Sequence, residues 1–81
     1  MSIINQLAEL GSQKMGVTVD ELVAAESFDD LGLDSLALLE FNVAIQKSYA
    51  ISLEDEEIAP EHSLRDVAEL VETRKASDLH V

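Results

Sequence analysis

Apolar residues return at helical spacing in three long stretches, and those stretches set the architecture. Ile3, Ile4, Leu7 and Leu10 form the first series, spaced to share one face of a helix. Ser2 stands where a cap belongs, and Gly16 follows Met15 where a helix closes. The pattern therefore predicts a helix from Ser2 to about Lys14. The second series, over a helix predicted from Ser35 to Tyr49, is double. Leu38, Phe41, Ile45 and Tyr49 make one stripe, and Leu36, Leu39 and Val43 make another, roughly opposite on the helical wheel. Glu40 and Lys47 separate the stripes on one side, Asn42 and Gln46 on the other. The Phe41 stripe holds both aromatics of the helix and is assigned to the core. A small core does not swallow both stripes, so the Leu36 stripe is the better partner surface. Leu64, Val67, Leu70 and Val71 form the third series. Ser63 and Asp66 open it as a variant of the capping box.

The segments between are less regular. Val17 to Asp34 reads as a long connection in which Asp20-Glu21-Leu22-Val23 makes at most one helical turn. A loop of that length needs pinning, and Val19, Leu22, Phe28 and Leu31 are its expected anchors. Ala50-Ile51-Ser52-Leu53 leads on to a short helix expected over Glu54 to Ile58, with acids near its N-terminal end and Pro60 stopping it. Lys75 to Val81 is polar and expected to fray. The sum is all-α: three main helices, one short helix that comes third in order, and a long first loop, in a single domain over residues 1–81.

Composition narrows the function. There is no cysteine among the 81 residues, so neither a disulfide framework nor a thiolate metal site exists. Seventeen Asp and Glu against five Lys and Arg give a net charge of −12. That argues against direct nucleic-acid binding, which needs basic groups against phosphates. It either favours partners with basic patches, attracted by electrostatic steering, or serves only to keep a small protein soluble, and charge alone does not choose between the two. The first residues carry neither a basic region nor an apolar run, and no run approaches a membrane span. A cytoplasmic monomer is the expectation.

The chemistry centres on Leu31-Gly32-Leu33-Asp34-Ser35-Leu36. Ser35 falls at the first turn of the second long helix, after a glycine that lets the chain bend. Unpaired N–H groups and a partial positive charge at that end favour a phosphate ester. Ser35 does not fit a catalytic elbow, which needs glycine two residues to either side, because Leu33 and Ala37 stand there. The two histidines, His62 and His80, read as solvated or weakly structural rather than as bases. Counting a calcium loop from Asp29 puts Leu31 and Leu33 at ligand positions and Asp34 where glycine belongs. Glu54 to Glu57 reads as a solvated acidic cluster. No metal site and no enzymatic activity are expected.

The segment Ser27-Phe28-Asp29-Asp30-Leu31-Gly32-Leu33-Asp34-Ser35-Leu36 resembles the prosthetic-group attachment site of acyl carrier proteins. The order of helices resembles that family's four-helix bundle with its short third helix. The resemblance implies that Ser35 carries 4'-phosphopantetheine, transferred from coenzyme A by a phosphopantetheinyl transferase. It also implies acyl cargo held as a thioester and presented to acyl-loading and acyl-processing enzymes with basic and apolar docking patches. Asp34, Leu36, Leu39, Glu40 and Val43 map onto the family's partner contacts, with Glu56 or Glu57 as a further one. The chain departs from the fatty-acid-synthesis pattern in one respect. Ala37 stands two residues after the serine, where an acid is usual, and only Glu40 is acidic among residues 36–49. A carrier for polyketide or another specialised lipid pathway is then as well supported as one for fatty acid synthesis. The alternative from another class is an acidic helical adaptor that is never modified.

Overall fold

The first apolar series closes where glycine stops it. In the computed structural model, which describes residues 3–78, helix α1 runs over Ile3–Met15. Gly16 ends it at φ 72°, its N–H donating to the Ser12 carbonyl at 3.2 Å. Leu7, Ala8 and Gly11 are buried, while Ile3, Ile4 and Leu10 pack half-buried on the same core. Gly11 marks a close approach: a Cβ there would lie 3.0 Å from Leu22 Cδ1 and 3.4 Å from Phe41 Cε1. The expected cap Ser2, like His80, lies outside the described residues.

The short helix is the second one, not the third. Helix α2 spans Val19–Ala24 inside the connection expected to hold no more than a turn. Its start is a full capping box: Thr18 Oγ1 accepts from the Glu21 N–H at 3.1 Å, and Glu21 Oε1 accepts from the Thr18 N–H at 3.0 Å. Leu22 is its buried residue.

Helix α3, Ser35–Tyr49, has the bounds its periodicity predicts. Leu38, Phe41 and Ile45 are buried, with Tyr49 half-buried, and Phe41 meets Phe28 edge-to-face with centroids 6.1 Å apart. The other stripe faces outward. The helix ends at Ala50, which takes the left-handed conformation (φ 55°) without being glycine. An L-residue is strained there. Ala50→Gly is therefore expected to raise stability by about 0.5–1 kcal/mol, read as a higher urea midpoint. An unchanged or lower midpoint would mean the Ala50 methyl contributes more than the strain costs.

No helix forms over residues 54–58, contrary to the expectation from sequence. Three causes act together. Five residues are too few to nucleate a helix unaided, Pro60 disfavours helical backbone at Ala59, and side chains from other elements claim the segment. Asn42, fully buried on α3, donates from Nδ2 to the Glu54 carbonyl at 2.8 Å, while its Oδ1 accepts from Gln46 Nε2 at 2.6 Å. Asn42 and Gln46, which the pattern treats as mere separators, thus form a polar clamp on the segment. Arg74 donates from Nη1 to the Ser52 carbonyl at 2.8 Å and pairs through Nη2 with Glu57. Ile51, Leu53 and Ile58 plug the core from this stretch. A turn is what those anchors leave.

Helix α4 runs over Leu64–Asp78 and buries Leu64, Val67, Ala68 and Val71, with Leu70 half-buried at its edge. It continues past the point where fraying was expected, and Lys75 Nζ lies 5.3 Å from the Tyr49 ring centroid, tying that turn to α3. Residues 79–81 of the expected tail lie outside the described residues. The predicted cap is present: Asp66 accepts from the Ser63 N–H at 2.9 Å, and Ser63 Oγ accepts from the Asp66 N–H at 3.2 Å. The bond from the Ser63 backbone is the main reason the Asp66 carboxyl titrates below its usual range, with the Ser63 hydroxyl and the nearby charges of His62 and Arg65 assisting. A depressed folded-state value means this stabilisation is present above the unfolded pKa and is lost as pH falls through the folded one. The difference in urea stability between wild type and Asp66→Ala is therefore expected at neutral pH and should shrink on acidification. A difference constant into strong acid would show that charge is not its source.

Candidate functional site

The site is built from the end of the first loop. Phe28 is 1 % exposed and anchors it in the core. Its N–H donates to the His62 carbonyl at 2.9 Å, and the Asp29 N–H donates to the Pro60 carbonyl at 2.8 Å. His62 is thus structural: its Nδ1 also accepts from the Ala59 N–H at 3.1 Å. A 3-10 turn, Asp29–Leu31, follows. Gly32 ends it at φ 71°, its N–H donating to the Asp29 carbonyl at 3.0 Å. That reversal sends Leu33 into the core, with its N–H on the Phe28 carbonyl at 3.3 Å, and sets Asp34 at the cap of α3.

Asp34, rather than Ser35, performs the capping. Its Oδ1 accepts from the Ala37 N–H at 2.9 Å, and its carbonyl from the Leu38 N–H at 3.1 Å. Ser35 is exposed, and its hydroxyl makes no hydrogen bond with any described residue. The N–H groups of Ser35 and Leu36 likewise have no acceptor among the described residues. A phosphodiester on this hydroxyl would therefore find two free donors and the positive end of a four-turn helix, worth about 0.3–1 kcal/mol to an anion at an exposed site. Asp29, Asp30 and Asp34 oppose it by like charge, but all three are exposed and screened. The site accommodates the group. Among the described residues the one histidine, His62, is engaged through Nδ1 at Ala59.

Beyond Ser35, the outward face of α3 carries Leu36 (64 % exposed), Leu39 (36 %) and Val43 (42 %), with Glu40 exposed among them. All five sequence candidates, Asp34, Leu36, Leu39, Glu40 and Val43, lie exposed on Ser35's own helix or at its cap. Glu56 is exposed as well, but Glu57 is held by Arg74 and is not a free handle. Sequence reasoning overlooked a groove of about 520 Å³ between α1 and α3, lined by Leu10, Lys14, Leu39, Val43 and Lys47 among others. Its signal was present, because Lys47 falls four residues after Val43 and so belongs to the same face.

Comparison with known proteins adds a separate line. A family model described as a phosphopantetheine attachment site matches residues 5–71. The chain is similar to the acyl carrier protein of Exiguobacterium sp., 34% identical over 73 residues that cover 89% of this chain and 92% of that protein. It is 30% identical over 76 residues to the acyl carrier protein of Wolinella succinogenes, covering 93% of this chain and 100% of that one. It is 32% identical over 71 residues to the meromycolate extension acyl carrier protein of Mycolicibacterium smegmatis, covering 86% of this chain and 72% of the other. No solved structure matches the chain.

Proposed function

This chain belongs to the acyl carrier protein family, a family of carriers rather than catalysts that hold a covalent 4'-phosphopantetheine, and from that premise we propose that Ser35 is the residue carrying the group here. The observation that supports this most directly is the pairing of an exposed, unpartnered hydroxyl with free N–H groups at the start of α3. A separate phosphopantetheinyl transferase supplies the base. The Ser35 oxygen attacks the β-phosphorus of coenzyme A, its proton leaves to that enzyme, and 3',5'-adenosine diphosphate departs. When bound, the group supplies a terminal thiol on which acyl cargo is held as a thioester.

The chain's own part is presentation. Asp34 keeps the first turn of α3 wound, and Gly32 fixes the direction in which Ser35 leaves the surface. Leu36, Leu39, Glu40 and Val43 form the docking face for the enzymes that load and process the cargo in fatty acid, polyketide or another specialised lipid synthesis. Family membership supports acyl-processing partners in general. The near-absence of acids along α3 supports a specialised pathway as well as it supports fatty acid synthesis.

The test is intact mass after incubation with coenzyme A and a broad-specificity phosphopantetheinyl transferase, followed by proteolysis. One added phosphopantetheine on the peptide containing Ser35 is expected. A folded protein that gains nothing from several transferases would instead favour the unmodified acidic adaptor.

A further inference from the structure

The chain has only five basic residues against seventeen acids, so where they stand is informative. Arg74 is committed to Glu57 and the Ser52 carbonyl, Lys75 lies over Tyr49, and Arg65, exposed and unpaired among the described residues, borders a separate hollow beside α2 with Val23 and Ser63. Lys14 and Lys47 are different. Both are exposed, neither forms an ion pair with any described residue, and both line the same groove between α1 and α3. Helices α1 and α3 run antiparallel there, since Gln6 accepts from the Tyr49 hydroxyl at 3.1 Å while the Gly11 position faces Phe41. Each lysine sits in the last turn of its own helix, so the two stand toward opposite ends of the groove. Complementing the helix dipoles explains a lysine at each C-terminus. It does not require both to border one apolar surface, made here by Leu10, Leu39, Val43 and Ala44 with Glu40 as its one acid.

An exposed apolar floor with an unpaired cation toward each end is a recognition pattern. The occupant it fits carries an apolar side chain with carboxylates on either side. We propose that the acyl-processing partners of this carrier dock through such a segment, its apolar side chain over Leu39 and Val43 and its acids meeting Lys14 and Lys47. The proposal rests on the reading of α3 as the docking face. It reverses, along the flank of α3 that faces α1, the charge expected of a partner to a −12 protein. Near Ser35, where Asp29, Asp30 and Asp34 gather, the partner's surface remains basic. A partner must then be charged in both senses along its contact, and one that is basic throughout is selected against at Lys14 and Lys47.

Two stapled helical peptides test this, identical in their central leucines and flanked either by glutamates or by lysines. Each is titrated at physiological ionic strength into the isotopically labelled protein, and amide and methyl shifts are followed by NMR. The glutamate peptide is expected to shift Leu39, Val43, Lys14 and Lys47 and to bind about fivefold more tightly than the lysine peptide, as two exposed charge pairs allow. The double variant Lys14→Glu/Lys47→Glu should reverse that order. Equal binding, preference for the lysine peptide, or shifts away from the groove would overturn the proposal. Concentration-dependent shifts of the same residues without peptide would overturn it too, by making a second copy the occupant. Mass gain with the transferase is read on the same variants. Its loss in wild type refutes the attachment site and its retention leaves that reading standing, whichever peptide prevails.

Discussion

Ser35→Ala will gain no phosphopantetheine and will unfold at the same urea concentration as wild type. Both halves follow from the same geometry. The hydroxyl has no partner among the described residues, so removing it strands no donor or acceptor. Capping is done by Asp34, which keeps its bond to the Ala37 N–H. Alanine is a better helix former than serine, by up to about 0.5 kcal/mol, so the net change should stay within about 0.5 kcal/mol either way. Asp34→Ala is the contrast: it leaves the nucleophile but costs about 1 kcal/mol of helix capping. Intact mass and urea unfolding of the two variants separate attachment from folding. Mass gain by Ser35→Ala would put the attachment elsewhere. A large loss of stability would show that the hydroxyl has a structural partner after all.

Phe41→Ala should have the largest effect on stability. Phe41 is fully buried, sits edge-to-face with Phe28, and lies where α1 comes closest to α3 at Gly11. Truncating such a side chain costs about 3–5 kcal/mol through lost transfer energy and the cavity left behind. A domain of this size has a net stability of about 4–12 kcal/mol. The urea midpoint is expected to fall by about 3–5 M if the slope is near 1 kcal/mol/M. Because Phe28 anchors the loop that leads to Ser35, the damage will reach the site as well. Leu36→Ala on the same helix removes a side chain that is already 64 % exposed and should change stability by less than about 0.5 kcal/mol. Equal losses from the two substitutions would refute the assignment of the stripes.

Most of the site was legible in the sequence because it depends on local chemistry. The bounds of α3 follow from an aspartate cap and an apolar period sustained over fifteen residues. Its two faces follow from the same period: one stripe is buried, and the other is open beside Ser35. Helix α2 was missed because six residues are too few to display a period, although Thr18-Val19-Asp20-Glu21 carries a capping-box signature. The segment after Tyr49 was misread for the opposite reason. Its local pattern allows a helix, but Asn42 and Arg74, distant in sequence, decide its shape. No window of neighbouring residues contains that information. The α3 side of the lysine-bordered groove was visible in the helical period, but that Lys14 borders it as well depends on the packing of α1 on α3.

The two backbone bonds from Phe28 and Asp29 to His62 and Pro60 make the approach to Ser35 and the helix-free segment one cooperative unit of local opening. Helix α3 has its own ladder and need not open with them. In native-state hydrogen exchange, the Phe28 and Asp29 amides should share one opening free energy, because neither is released while the 60–62 turn stays closed. The His62 amide, bonded to the Ala59 carbonyl within that turn, should move with them, and the centre of α3 should exchange far more slowly. Loosening the 50–63 side by removing its anchor on α3, as in Asn42→Ala, would then quicken exchange on the threshold of Ser35 without touching the serine.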